Sequence, residues 1–266
     1  MCYCVYEHYH TLGKTSDIFD STHYRDLLQQ KVTVDGEELP FYFFSDPRDI
    51  ALGLSTDGFA PFKKRKQTTW PIILFNYNLP PDIRIHIGNI IELGTIPGPK
   101  KPKDADLYLF PAIQELVQLE QGVIAYDSLS YALFMMHAYF IRVFGDIPAV
   151  SMLMRMKGHN GTCPCQMCKI LGIRAPGDKT LYVPLDHCNL RIDGTPPKPV
   201  RYDPANLPLW SHIVFMEQAC QVQCSSTDAE EKRLSKKWGI KGVPLLSTLS
   251  ALSFPASFPY DFMHLI

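Results

Sequence analysis

Asp57, in LGLSTDGFAPF (52–62), and Asp146, in FGDIPA (144–149), each follow an apolar run and sit in a turn signal, Asp-Gly and Gly-Asp-x-Pro. Two carboxylates held side by side repel one another, and a divalent cation between them removes that repulsion. Mg²⁺ takes one or two protein carboxylates and completes its shell with phosphate oxygens and water. Two such ions, about 4 Å apart, serve both the attacking and the leaving oxygen of a phosphodiester. Asp-Gly and Gly-Asp-x-Pro are also good turn chemistry. Pattern alone therefore leaves two readings, a metal-dependent phosphoryl-transfer pair or two structural turns.

A second constellation lies in GHNGTCPCQMC (158–168). Cys165 and Cys168 form a C-x-x-C, the spacing at which two thiolates share one Zn²⁺. A redox pair would need that motif at the start of a helix after a strand. Gly158, Gly161 and Pro164 instead set it in a loop, which favours zinc; packed free thiols are the other reading. Downstream, Asp261 and His264 are three apart and share a face if their segment is helical. Cys163, His159, His187 and Cys188 are reserve donors.

The elements that must position these residues follow from periodicity and turn signals. Strands are predicted over 49–59, 69–79 and 83–96, the last two punctuated by Pro80-Pro81 and Pro97-Gly98-Pro99. A helix is predicted from about Asp104 to Gln121, with Leu109, Ile113, Leu116 and Glu120 in step and Gly122 as its stop. The second half of FMMHAYFIRVF (134–144) is a strand by its β-branched and aromatic content, and a further helix starts within 152–156. The order is strand, strand, strand, helix, strand: an α/β arrangement with Asp57 ending the first strand and Asp146 the fourth. The first 40 residues show weak periodicity and read as the tail of something upstream. Residues 170–235 are Pro-rich and polar, an insertion or extended loop region. The apolar end, FPYDFMHLI, stops in mid-pattern.

Composition narrows the classes. With 46% apolar and 20% charged residues and a formal net charge of −1, the chain is an ordinary globular protein without the global basic field of a small nucleic-acid binder. Its basic residues are local: KKRK at 63–66, KKPK at 100–103 and KRLSKK at 232–237. The most apolar stretch, 129–145, is interrupted by Tyr131, His137 and Arg142, so no membrane span is expected. The start, MCYCVYEHYH, is not a secretory signal, which places the eight cysteines in a reducing compartment.

LGLSTDGFAPF (52–62), WPIILFNYNLPP (70–81), IPGPKKPKDADLYLFPAIQEL (96–116), YDSLSYALFMMHAYFIRVFGDIPA (126–149), KGHNGTCPCQMC (157–168) and FPYDFMHL (258–265) occur in this order. As an ordered set they resemble the transposase of CACTA (En/Spm-type) DNA transposons of plants and fungi, from about Asp46 to the end. The resemblance implies an RNase H-like fold, a mixed sheet flanked by helices with a Pro-rich, zinc-knuckle-bearing insertion. It implies residues 1–45 as a partial N-terminal segment, 46–157 as the first part of the core, 158–240 as the insertion and 241–266 as the start of the core's C-terminal part. It further implies an Asp-Asp-Glu triad on Mg²⁺ (or Mn²⁺), with Asp57 and Asp146 as the first two members and Asp127 the competitor for the second. The family's glutamate should follow the DFMHL segment, and Glu217, Glu230 and Glu231 lie before it. Cys165, Cys168 and His264, with Asp261, match the family's structural zinc ligands.

The expected partner is DNA, at transposon ends and target, with Lys63, Lys64, Arg65 and Lys66 placed to neutralise phosphates; self-association and a nuclear location are also expected. The resulting expectation is a fragment of a cut-and-paste DNA transposase whose third acid is missing. The alternative is a non-catalytic DNA- or protein-binding remnant stabilised by zinc.

Overall fold

The computed structural model describes residues 3–62, 68–98, 102, 104–174, 180–189 and 198–259, without the side chains of 160, 187–189 and 198. Lys63, Lys64, Arg65, Lys66, Asp261 and His264 lie outside the described residues. The chain divides into two units, Met1–Leu153 with Leu245–Ile266, and Met154–Pro244.

In the first unit the apolar runs become β3 (Ile50–Thr56) and β8 (Ala138–Phe144), adjacent and parallel. Strands covered on both faces read as continuous apolar runs, and Ala51, Leu52, Leu54, Tyr139, Phe140 and Val143 are all buried. β4 (Thr69–Asn76) pairs antiparallel with β3, and β5 (Ile91–Pro97) antiparallel with β4, giving a mixed sheet in the order β5-β4-β3-β8. Parallel neighbours need a long crossover. Here it passes through α4 (Asp106–Gln121), which packs on β8 and buries Leu109, Ile113 and Leu116. It then makes a hairpin of β6 (Val123–Asp127) and β7 (Ala132–Met136) before β8 begins.

Three local expectations change. The third strand begins only at Ile91, because Pro80-Pro81 does not merely punctuate: proline suits the first turn of a helix, and α3 (Pro81–Arg84) follows. The helix after β8 is α5 (Ile147–Leu153), earlier than 152–156. The first 40 residues are not an unpatterned tail. α1 (Tyr3–Tyr6), α2 (Thr22–Leu27) and the hairpin of β1 (Lys31–Val34) and β2 (Glu37–Tyr42) place Phe19, Leu27, Val32 and Val34 in one core with Ala51, Tyr139 and Ile141.

The second unit holds the hairpin β9 (Asp186–Asn189) and β10 (Lys198–Arg201) and two helices, α6 (His212–Gln223) and α7 (Asp228–Trp238). The helices correct the reading of 170–235 as loop. Phe215, Ala219 and Val222 form the buried seam of α6. α7 is polar and held by its ends: the Thr227 hydroxyl accepts from the Glu230 amide, acids occupy the first turn and Lys236 and Lys237 the last. Among the described residues no helix is long and apolar enough to cross a membrane.

Candidate functional site

The carboxyl ends of β3 and β8 form the site's frame. Ser55 pairs with Phe144, so Asp57 and Asp146, each two residues further on, leave the same edge of adjacent strands. Neighbouring strands run about 4.8 Å apart. Gly145 keeps them close past the last pair: its φ is +157°, and a Cβ there would meet the Thr56 carbonyl oxygen at 2.8 Å. Asp57 is exposed and Asp146 half-buried. Asp146 also caps α5, its Oδ1 accepting from the Ala149 amide at 2.6 Å and its carbonyl from the Val150 amide at 3.0 Å. Oδ2 makes no hydrogen bond among the described residues. One carboxylate can thus close a helix and still present an oxygen at the strand edge.

Asp127, the competitor, lies outside this sheet at the end of β6. Its carboxylate accepts from Ser130 Oγ at 2.8 Å and the Leu129 amide at 2.9 Å, with Arg48 at 3.4 Å. The Ser130 hydrogen bond leads these in holding its pKa below the usual range. It is a turn residue with an ion pair. Glu217 sits on α6, and Glu230 and Glu231 in the first turn of α7, where they favour the helix dipole. Those three belong to the second unit.

The cysteine loop is also in the second unit. Cys165 Sγ accepts from the Met167 amide at 3.4 Å and the Cys168 amide at 3.2 Å, a tight turn whose N–H groups suit a negative sulfur. Cys163 and Cys168 are buried, and burial pushes both thiols up to about 11. Without a cation they remain protonated at neutral pH. Among the described residues no group of three or more His, Cys, Asp or Glu side chains is arranged to hold a metal ion. The proposed partners Asp261 and His264 are outside those residues.

Of the buried carboxylates that the sequence did not assign to a site, Asp49 and Glu120 are the least exposed. Asp49, 2% exposed, bonds His137 Nδ1 at 3.0 Å under the hairpin crossover. Glu120, 0% exposed on α4, takes the Ser250 amide at 3.0 Å and its hydroxyl at 2.8 Å, and burial raises its pKa to about 7. A signal for the second existed, since Glu120 falls in step with three core residues of its helix.

A family model described as "Transposase family tnp2" matches residues 23–187, well over half of the chain. No curated protein matches it.

Proposed function

The chain belongs to the tnp2 transposase family, and from that premise we propose that its first unit is an RNase H-like catalytic core of a CACTA (En/Spm-type) cut-and-paste transposase. The order β5-β4-β3-β8, with three antiparallel strands and a parallel fourth, supports that fold reading. The observation that carries the mechanism is the register of β3 and β8, which sends Asp57 and Asp146 off one edge together.

In this reading Asp57 and the uncapped oxygen of Asp146 would hold the divalent cation, and a scissile phosphate would be recruited to that edge. The chemistry that bound Mg²⁺ supplies there is activation of water and neutralisation of charge on the phosphodiester. Asp146 is oriented by its cap bond to Ala149, which limits the rotation of the ligand. Lys63 to Lys66 follow Asp57 closely in sequence and serve DNA phosphates beside the cut. Cys165 and Cys168 would supply thiolate ligands to a structural zinc; the N–H bonds into Cys165 Sγ support that assignment. Action on DNA implies a nuclear site of work.

Calorimetric titration with Mn²⁺ and Mg²⁺ tests the centre. Wild type should bind, and Asp57→Ala should weaken binding about tenfold or more by removing a charged ligand. Equal binding by the two proteins would remove the proposal.

A further inference from the structure

Buried charge in the first unit is matched almost everywhere. Arg84 pairs with Asp17 at 3.0 Å, Asp20 with His8 and His10, Asp49 with His137, and Glu120 with Ser250. Arg142 is the exception. It is half-buried on β8, its Nε is shielded from solvent without a hydrogen-bond partner, and no carboxylate reaches it among the described residues. Tyr77 stands beside it, 6% exposed, with its hydroxyl equally buried and unpartnered. Leaving both groups unsatisfied is unfavourable unless a ligand completes them.

Both line one cavity of about 740 Å³, together with Phe144 at the end of β8, Gly145 just past it, Ser16 and Arg84. Gly53 makes the arrangement possible. It lies opposite Arg142 in register, and a Cβ there would meet the Tyr77 hydroxyl at 2.8 Å. The wall carries Arg84, Asp17 and Arg142; the first two neutralise each other, so the cavity is left with one positive charge. Burial keeps the Tyr77 hydroxyl protonated well past neutral pH and so a donor. An anion that accepts from both an arginine and a phenol fits, and phosphate does so best. The volume exceeds what inorganic phosphate fills and suits a nucleotide-sized group.

We propose that this cavity is a nucleotide-phosphate subsite, in which Arg142 and Tyr77 hold a backbone or terminal phosphate of a DNA strand. Arg142 lies on β8 four residues before Asp146, which follows the strand's end, so at most roughly 13 Å of extended chain separates them. A strand anchored there enters the acidic edge from one side. Its assignment to DNA rests on the transposase reading; the anion site itself does not.

The test is binding to the full chain in EDTA, which removes any metal-mediated contact. The probes are inorganic phosphate, a deoxynucleoside 5′-monophosphate, and a short single strand with and without a 5′ phosphate. The phosphorylated strand should bind tightest, and Arg142→Gln should weaken it about tenfold or more, Tyr77→Phe severalfold, through lost charged and neutral hydrogen bonds. Asp57→Ala should not weaken it, because losing a carboxylate at the acidic edge only relieves repulsion with the strand. The Tyr77→Phe protein removes one hydroxyl only and covers the case in which Arg142→Gln fails to fold. Unchanged affinity in Tyr77→Phe and in folded Arg142→Gln, or no binding of any phosphate probe to wild type, overturns the proposal. Inorganic phosphate binding as well as the strand overturns the DNA assignment. Loss of Mn²⁺ binding in Asp57→Ala with phosphate binding intact shows the two sites failing or holding separately.

Discussion

Gly145 rests against Thr56 so closely that a methyl group on its Cα would stand 2.8 Å from the Thr56 carbonyl oxygen. The contact clamps the ends of β3 and β8 one residue before each aspartate leaves the sheet. An alanine there must push the strands apart and hold a positive φ. Gly145→Ala should therefore lower stability by about 2 kcal/mol, read as an earlier urea midpoint, and weaken Mn²⁺ binding with it. A variant that unfolds with the wild type would show that the clamp does not hold this edge.

Asp146 serves two structures at once, and two substitutions separate them. Asparagine caps a helix as well as aspartate does, whereas alanine loses about 1 kcal/mol. Asp146→Asn should keep the wild-type midpoint and lose metal affinity. Asp146→Ala should lose both. Equal stability of the two variants would mean that the bond to Ala149 contributes nothing in solution.

Much of this frame was legible. Strands β3, β4 and β8 and helix α4 announce themselves because each is apolar, or apolar at one period, and bounded by Gly or Pro. The partnership of β3 with β8 was not, since no local signal reports which strands meet across a crossover. Helix α7 escaped because an exposed helix has no apolar stripe; its signature was the cap Thr227 with Glu230 three residues on, easily read as a polar stretch. Both aspartates were found at strand ends, but the cap on Asp146 needed the position of α5. Arg142 registers in sequence only as a break in an apolar run, and its isolation emerges only from the surrounding packing.

Glu120 makes stability depend on pH. Burial raises its folded pKa to about 7, from about 4.5 for an ordinary glutamate. The folded state therefore holds the proton more tightly, so the contribution is full below about pH 4.5 and is lost as pH rises through about 7. Its size is on the order of 3 kcal/mol. Urea midpoints should fall between pH 5 and pH 8 and fall less in Glu120→Gln, which cannot ionise. A parallel pH profile in the variant would place the titration elsewhere.

Zinc content discriminates the cysteine loop. Purified protein should carry about one equivalent by elemental analysis, as one knuckle-based site requires. Cys165→Ser with Cys168→Ser should abolish it, while Cys220→Ser, on the exposed side of α6, should not. Metal retained in the double variant would refute the knuckle.

DNA binding should weaken with salt. Replacing Lys63, Lys64, Arg65 and Lys66 by glutamine should lower the log–log salt slope by up to about 3 to 4. A slope unchanged by the fourfold substitution would show that the run stays away from the backbone.

The parallel seam between β3 and β8 joins segments separated by α4 and a whole hairpin. During synthesis β3 leaves the ribosome long before its neighbour exists, and closing so distant a pairing is slow. Until Phe144 has emerged, one side of β3 is an open template for other nascent chains. A message cut short between Asp57 and Phe144 yields a polypeptide with the first aspartate but no seam, hence a sticky product rather than a weak enzyme.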